Sequence, residues 1–577
     1  MRAASPLSRT QLGAAALCAA ATGVGAIHTH LLLAALRHRD TLVLESGLLR
    51  AIAALEVLHA LLALALALPL LLLLSLATDT AWVRLARLGR PLPRASAIFL
   101  FVSTVGLASV LATTDNDFRR FPTDLPVTLS ASRPNVLLIV ADSLRRDLFD
   151  DRDRAAELMP HLSELRNASL DYQQLQAASS WTPPSVASLL TGKRPSELGA
   201  HAGRLPANSG SLAGHFRAAG YETVGITDNY LTHPVYGFAQ GFESYWQKNN
   251  CILFSELWIS HWRLSRWYER LVRGCRLQYR GAPVVNDRFM KWAHARDTER
   301  PFFAMLHYMD THYPYYVYSE QPDNVSNASD PRDFISYSDA QHEGGINPKP
   351  PFARSSIPAR KVEDLQLRYR GAAQYLDGFV GEILDWLRDE KLDGSTIVLF
   401  TADHGEEIFE HHYLAHGRAL YGESIRVPLF LKTPAAEGAE PAEISIPVGM
   451  AQIAPTLLAL TGLEASPAHT LPLPAEELRF AEAVFSELDR DGTQMLAGRF
   501  DRMKLIYSRV RSGRELLELY DLQVDPHELM NISDSTDKLP QEMLRQFSRA
   551  CEDLLNRRAP GLTHDQIELL RGLGYLN

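Results

Sequence analysis

Residues 134–147 read PNVLLIVADSLRRD, and this stretch decides the fold. Its apolar run over 136–141 is uninterrupted, which is typical of a parallel strand that is buried on both faces. Similar runs follow in FFAMLHYMD (302–310) and STIVLFTADHGEE (395–407). Between them lie segments with helical spacing of apolar residues, such as SLAGHFRAAGY (211–221). Strands that alternate with helices predict an α/β fold with a mainly parallel central sheet flanked by helices.

Each of the three predicted strands ends in polar side chains. The residues at these ends are Asp142, His307, Asp310, Asp403 and His404. Because the carboxyl ends of parallel strands meet at one edge of a sheet, we expect these side chains to lie close together. Carboxylates and imidazoles are common metal ligands, so this edge is the predicted functional site.

The pattern changes near residue 480. Beyond it, short segments alternate polar and apolar residues with turn residues between them, and a helical pattern follows Lys538. We therefore expect a small antiparallel sheet with a helix over 481–577. It would form the C-terminal subdomain beside a catalytic α/β domain over 133–480.

Three apolar segments precede the α/β region, at about 12–36, 57–77 and 95–113. Each is long enough to cross a bilayer as a helix. Arginines are more frequent before the first segment and after the second than between these two. The sequence thus predicts a multi-pass membrane protein with a transmembrane region over 1–113 and a linker over 114–132. The arginine bias places the catalytic domain outside the cytoplasm.

Composition excludes two classes of protein. The chain of 577 residues has 58 Lys and Arg against 67 Asp and Glu, a formal net charge of -9, which argues against binding to nucleic acid. The four cysteines form no CxxC pair and no zinc-finger spacing, which argues against a structural zinc site. Whether Cys251 and Cys275 form a disulfide stays open.

The segment SSWTPPSVASLLTGKRP (179–195) contains the candidate nucleophile. Pro183 and Pro184 suit the first turn of a helix, so Thr182 carries its hydroxyl at a helix N-terminus. The helix dipole and the free N–H groups there favour an anion or an alkoxide. The alternative for Thr182 is a structural N-cap, which is the commonest role of threonine at such a position.

Six blocks of the sequence carry a resemblance to a known family. They are PNVLLIVADSLRRD (134–147), TPPSVASLLTG (182–192), LHYMDTHYPY (306–315), TADHGEE (401–407), AHGRALYGESIRVPLFLKTP (415–434) and ELYDLQVDPHE (518–528). In this order they resemble the landmarks of the sulfatase family of the alkaline-phosphatase superfamily. The resemblance runs from about Arg133 to the C-terminus, is weak over 249–300, and does not include the apolar segments. It implies the alkaline-phosphatase/sulfatase fold.

Three positions depart from the sulfatase pattern. Sulfatases have Cys or Ser where this chain has Thr182, and they convert that residue to formylglycine. A threonine cannot be converted in this way, because its additional methyl group would give a ketone. Sulfatases also have Arg at the position of Val186, and often a second metal-binding Asp at that of Ser143. The threonine form resembles relatives that act on phosphate esters, among them phosphoglycerol and phosphoethanolamine transferases.

The resemblance also implies roles for individual residues. One divalent ion, with zinc or manganese favoured and magnesium or calcium as alternatives, would be bound by Asp142, Thr182, Asp403 and His404. The catalytic residues would be Thr182 as nucleophile, and His312 and His416, which would bind the transferred group or protonate the leaving oxygen. Second-rank substrate contacts would be His307 and Asn229. A second metal on Asp310, His312 and His416 is the less favoured alternative.

The function expected from the resemblance is a metal-dependent hydrolase or transferase of phosphate esters that forms a covalent phospho-threonine. One alternative is a sulfuric ester hydrolase, and another is a catalytically silent membrane protein with the sulfatase fold. The expected partners are an anionic ester substrate and the bilayer, but no nucleic acid. Membrane attachment would favour a lipid head group or an envelope glycan as substrate.

Overall fold

The computed structural model describes residues 119–120, 133–199, 203–247, 281–313, 315, 359–434, 440–463, 470–472, 483–490, 492–510, 513–533 and 541–556. All of them belong to one compact unit of the chain, Asn116–Glu256 with His261–Asn577.

A nine-stranded sheet forms the centre of this unit. Its strands, in their order across the sheet, are Arg119–Arg120 (β1), Ser244–Gln247 (β6), Glu222–Thr227 (β5), Phe302–Tyr308 (β7), Asn135–Ala141 (β2), Thr396–Ala402 (β8), Leu429–Lys432 (β12), Leu170–Tyr172 (β3) and Ala442–Ile444 (β13). The strands from β6 to β8 are parallel to one another. The pairs β1–β6, β8–β12 and β12–β3 are antiparallel, whereas β13 is parallel to β3.

The α/β fold is therefore confirmed. The central sheet is mixed: its strands from β6 to β8 are parallel, and antiparallel pairs lie on either side of them. Every residue of β2, β7 and β8 is buried, as their apolar runs predicted. The pairing aligns Ala141 of β2 with Tyr308 of β7 and with Ala402 of β8. All three strands consequently end at the same level, and the side chains that follow them meet at one edge.

Helices cover the sheet and connect its strands. They are Arg152–Leu158 (α1), Pro160–Asn167 (α2), Thr182–Thr191 (α3), Pro195–Leu198 (α4), Leu212–Ala218 (α5), Ala282–Ala295 (α6), Ala359–Asp389 (α7), Gly422–Ile425 (α8), Ile453–Leu460 (α9) and Gln541–Asn556 (α10). In the longest, α7, the buried residues Leu376, Val380, Ile383 and Leu387 recur every three or four positions. This spacing gives α7 one apolar face, which packs on the core.

Three smaller sheets complete the fold. Two lie in the α/β region: Glu407–Ile408 (β9) with Leu414–Ala415 (β10), and Arg426–Val427 (β11) beside Leu175–Gln176 (β4) and Val448–Gly449 (β14). The third is an antiparallel meander of Val484–Arg490 (β15), Thr493–Phe500 (β16), Met503–Arg509 (β17) and Glu515–Asp521 (β18). Helix α10 contacts β16 of this meander. The small antiparallel C-terminal sheet is confirmed, while its boundary at residue 480 stays a prediction.

The prediction of a multi-pass membrane protein requires correction. Within the part of the chain that the structure describes, no helix combines the length and the apolar character needed to cross a bilayer. The segments that suggested the spans, 12–36, 57–77 and 95–113, and the linker over 114–132 apart from β1, lie outside the described residues. The membrane assignment and the extracytoplasmic placement that followed from it are therefore not supported.

Candidate active site

Two carboxylates and an imidazole meet where β2 and β8 end. Asp142 and Asp403 directly follow these strands, and His404 is the next residue; all three are 0% exposed. One ligand atom of each lies within 4.8 Å of those of the other two. His404 Nε2 lies 3.6 Å from Asp142 Oδ1 and 3.4 Å from Asp403 Oδ2. The edge predicted from the strand endings is thus a compact cluster of potential metal ligands.

The loop backbone orients Asp403 and His404. Asp403 Oδ1 accepts hydrogen bonds from the backbone N–H groups of Ser143 (3.2 Å) and His404 (2.9 Å). Ser143 adopts a φ of 65°, in the left-handed region. Asp403 Oδ2 is buried and accepts no hydrogen bond from the described residues. His404 Nδ1 lies 2.8 Å from Gly405 O, so Nδ1 carries the proton and Nε2 presents its lone pair to the cluster.

This donor set fits a divalent cation. Burial and the charge of Asp142 raise the pKa of Asp403 well above its ordinary value. Burial opposes ionisation of Asp142 too, but His312, His307 and His404 hold its pKa well below the ordinary value. Two buried carboxylates at this distance share a single negative charge unless a cation lies between them. A divalent ion would compensate both charges and contact the buried Asp403 oxygen.

Thr182 extends this cluster from helix α3. The helix starts at Thr182, its N-cap is Trp181, and Pro183 and Pro184 follow in the first turn. Thr182 is 1% exposed, and its Oγ1 lies 3.3 Å from Asp142 Oδ2 and 3.2 Å from His404 Nε2. The structural alternative of an N-cap is therefore wrong, because the hydroxyl points to the carboxylates and the N-cap position belongs to Trp181.

Asn229 lies closer to the carboxylates than a substrate contact alone requires. Its Nδ2 donates to Asp142 Oδ2 (2.5 Å) and to Thr182 Oγ1 (3.2 Å). Its backbone N–H donates to Thr227 Oγ1 (3.1 Å), and its Oδ1 accepts from Leu231 N (2.7 Å). The amide is thereby held in one orientation, with its N–H groups directed at the hydroxyl and the carboxylate.

His307, on β7, also faces the carboxylates. Its Nε2 lies 3.5 Å from Asp142 Oδ2 and 3.9 Å from Asp403 Oδ2, and its Nδ1 lies 3.3 Å from Thr227 Oγ1. The residue is 1% exposed and lies between the sheet and the cluster. His307 and Asn229 thus both belong to the cluster, although the sequence ranked them below the other site residues.

His312 and His416 form the outer layer of the site. Their ring centroids lie 4.7 Å apart, and the ring of His416 lies 4.3 Å from that of His404. His416 Nδ1 lies 3.4 Å from Ser143 Oγ and 3.4 Å from Glu406 Oε2. Burial lowers the pKa of His312, and it lowers that of His416 further because the charges of neighbouring histidines add to it.

Asp310 has a different role from the other strand-end carboxylates. Its two oxygens accept hydrogen bonds from the backbone N–H of Ala282, at 3.2 and 3.0 Å. Ala282 is the first residue of α6, so Asp310 holds the beginning of that helix. Among the described residues, one group of three or more His, Cys, Asp or Glu could hold a metal, and Asp310 is not in it. The second metal site on Asp310, His312 and His416 is therefore not supported.

Glu406 and Arg490 escaped the sequence reasoning, and Ser143 entered it only as a departure from the sulfatase pattern. Ser143 and Glu406 contact His416. They lie in the same motifs as Asp142 and His404, whose side chains are the more distinctive metal ligands. Burial raises the pKa of Glu406 well above its ordinary value. Arg490, at the end of β15, packs on the ring of Trp181, the residue before Thr182, and no local pattern in the C-terminal region marks it.

The fold and these side chains define a hydrolase of the alkaline-phosphatase-like superfamily. The family model Sulfatase matches residues 134–463. The chain belongs to the sulfatase family.

Relatives match more than two thirds of the chain. The chain is 24% identical to the choline-sulfatase of Rhizobium meliloti (strain 1021) over 70% of its own length and 84% of the relative. It is 24% identical to the uncharacterized sulfatase YidJ of Escherichia coli (strain K12), over 70% and 83%. The solved phosphonate monoester hydrolase of Agrobacterium radiobacter is similar in fold, with a TM-score of 0.53 at 20% identity over 74% of this chain and 95% of that one.

Proposed function

We propose that this chain is a metal-dependent hydrolase of phosphate esters in which Thr182 is the nucleophile. The observation that carries the proposal is the position of the Thr182 hydroxyl. It is buried at a helix N-terminus within 3.3 Å of Asp142 and 3.2 Å of His404. A threonine with a purely structural role has no need of two potential metal ligands on its oxygen.

The proposed ligands of the divalent ion are Asp142, Asp403, His404 and the oxygen of Thr182. Two carboxylates, an imidazole and an alkoxide favour zinc or manganese, with magnesium or calcium as alternatives. When bound there, the ion supplies a positive charge that lowers the pKa of the Thr182 hydroxyl, so that its proton is lost to solvent.

Attack by Thr182 would proceed in line. The Thr182 oxygen forms a bond to phosphorus while the bond between phosphorus and the leaving oxygen breaks. Asn229 Nδ2, 3.2 Å from Thr182 Oγ1, holds the oxygen in position, and the N-terminus of α3 favours the negative charge near it. The product of this step is a phospho-threonine.

His416 and His312 would serve the leaving group. Burial keeps both rings mainly neutral at pH 7, so one of them must take up a proton before it donates to the leaving oxygen. Water then attacks the phospho-threonine, which releases inorganic phosphate and restores the Thr182 hydroxyl. Attack by an acceptor alcohol in place of water would make the same protein a transferase.

Hydrolysis of sulfate esters is the second candidate, because the relatives include a choline-sulfatase. Thr182 cannot supply the formylglycine on which sulfatases depend. Direct attack by the threonine oxygen on sulfur would release the alcohol and leave a sulfated threonine, which water would then have to hydrolyse. The expectation of a lipid head group or an envelope glycan as substrate depended on membrane attachment, which is not supported.

Matched variants of helix α3 test the nucleophile. The full chain, Thr182→Ala and Thr182→Ser are assayed on 4-nitrophenyl phosphate and 4-nitrophenyl sulfate, and bound metal is quantified. We expect Thr182→Ala to lose at least about 10³-fold in kcat/KM on the phosphate ester, whereas Thr182→Ser retains activity. The control is Thr191→Ala, at the far end of the helix, whose hydroxyl bonds only to Ala187 O among the described partners.

Three outcomes would contradict the proposal. Turnover of the phosphate ester that survives in Thr182→Ala would exclude this nucleophile. A clear preference for the sulfate ester would favour the second candidate. Absence of both bound metal and turnover in the wild-type chain would indicate a catalytically silent protein.

A further inference from the structure

Arg490 brings a guanidinium from the C-terminal sheet to the candidate active site. Its Cζ lies 4.8 Å from the ring centroid of Trp181, the residue before Thr182. The same guanidinium packs against Gly417, the residue after His416, where an added Cβ would overlap Arg490 Nη1. Gly417 has a φ of 77° and leaves the space that the guanidinium fills. Arg490 is thus held between the immediate neighbours of Thr182 and His416.

The charge of Arg490 acts on the histidines of the site, and the residue is less buried than the groups at its centre. Burial is the main reason why the pKa of both His404 and His416 is lowered, and the positive charge of Arg490 contributes to both shifts. Arg490 is partly exposed, unlike Asp142 and Thr182, which are buried.

The in-line geometry defines what Arg490 would meet. In such a displacement the transferred atom lies between the attacking oxygen and the leaving oxygen, and its other oxygens point sideways. Thr182 and His416 correspond to the attacking and leaving ends. A guanidinium beside the neighbours of both residues therefore flanks the sideways-pointing oxygens.

We propose that Arg490 binds a non-bridging oxygen of the transferred group and makes the site selective for dianionic phosphate monoesters. Monoanionic esters, such as phosphate diesters and sulfate esters, present less charge to the guanidinium. The inference rests on the proposed function, because it takes Thr182 and His416 as the two ends of the reaction.

Kinetic selectivity gives the first test. The full chain, Arg490→Met and Arg490→Lys are assayed on 4-nitrophenyl phosphate, methyl 4-nitrophenyl phosphate and 4-nitrophenyl sulfate, which share one leaving group. We expect Arg490→Met to lose about 30–100-fold in kcat/KM on the dianion and no more than about tenfold on the monoanions. Arg490→Lys should be intermediate, since it keeps the charge but loses the planar fork. The control is Arg514→Met, an exposed arginine directly before β18 of the same sheet.

Anion binding gives a second test that does not need turnover. The metal-loaded full chain and the same variants are titrated by calorimetry with inorganic phosphate at pH 8 and with dimethyl phosphate. Weaker binding of phosphate alone in Arg490→Met supports the inference, even if no ester is cleaved and the proposed function fails. Equal losses on all ligands, or no loss, would overturn it, even if Thr182-dependent phosphate ester cleavage is observed. A wild-type chain that does not bind phosphate would overturn it as well.

Discussion

Replacement of Asp171 by asparagine would remove the closest carboxylate from two buried guanidinium groups. Asp171 Oδ2, on β3, accepts from Arg166 Nε at 2.6 Å and from Arg146 Nη2 at 3.1 Å. The side chains of Asp171, Arg166 and Arg146 are 2%, 4% and 1% exposed. Solvent therefore cannot screen the two guanidinium charges once the carboxylate is removed. Arg166 also donates to Phe149 O at 2.7 Å, which ties this group to the loop that follows Asp142.

The magnitude follows from the burial of all three groups. Loss of one partner of a buried ion pair costs about 3–5 kcal/mol, because an uncompensated charge stays in the interior. We therefore expect Asp171→Asn to lower the free energy of unfolding by about 3–5 kcal/mol. Guanidinium chloride unfolding of the full chain, followed by circular dichroism and tryptophan fluorescence, measures the change.

Asp150→Asn is the matched control for this experiment. The Asp150 carboxylate accepts two hydrogen bonds of 2.8 Å from Arg426, but its side chain is 43% exposed. Solvent screens such a pair, and its loss should cost no more than about 1 kcal/mol. If Asp171→Asn proved no more costly than Asp150→Asn, the reasoning from burial would be refuted.

Three further predictions concern pH, metal and packing. Burial alone would lower the pKa of His411, but the hydrogen bond to Glu423 raises it from 6.5 to about 9. The stabilisation of the folded protein by this pair should therefore be complete below about pH 6.5 and should disappear as the pH rises through about 9. The unfolding temperature of His411→Gln should not show this decrease with pH. A pH profile identical to that of the wild type would contradict the prediction. Chelation should lower the unfolding temperature of the metal-loaded wild type but not of Asp403→Asn, and equal shifts in both would argue against the proposed ligand set. Gly498→Ala would bring a Cβ 2.7 Å from Phe547 and should cost about 1–3 kcal/mol in chemical unfolding; an unchanged midpoint would show that α10 can move aside.

The centre of the sheet could be predicted because its signals are local. Strands β2, β7 and β8 are seven residues long, mostly apolar and buried throughout. An aspartate directly follows β2 and β8, and His307 lies near the end of β7. The antiparallel side of the sheet could not be predicted in this way. Strands β3 and β13 have only three residues each, too few for a periodic pattern, and their pairing depends on tertiary contacts.

The inner part of the candidate site follows from motifs, whereas its surroundings depend on long-range packing. Asp142, Thr182 and His404 were identified in separate blocks, and the structure brings them together. The position of Asn229 depends on a network through Thr227, in which no single residue is distinctive. Arg490 reaches the site because β15 packs against the segment before α3, where Glu487 N donates to Ala178 O and Ser486 Oγ donates to Ala177 O, and no local pattern reveals this packing.

The position of β2 in the middle of the sheet has a consequence for synthesis of the protein. Asn135, its first residue, makes hydrogen bonds to Phe302 and Thr396, which follow 167 and 261 residues later in the chain. At about 5–20 residues per second, a ribosome needs roughly 13–50 s to produce the second of these partners. During that time β2, whose residues 136–141 are all apolar, lacks at least one of its two neighbouring strands, and such segments are prone to aggregate. Recovery of native enzyme should thus depend on chaperones that bind the nascent chain until β8 has been made.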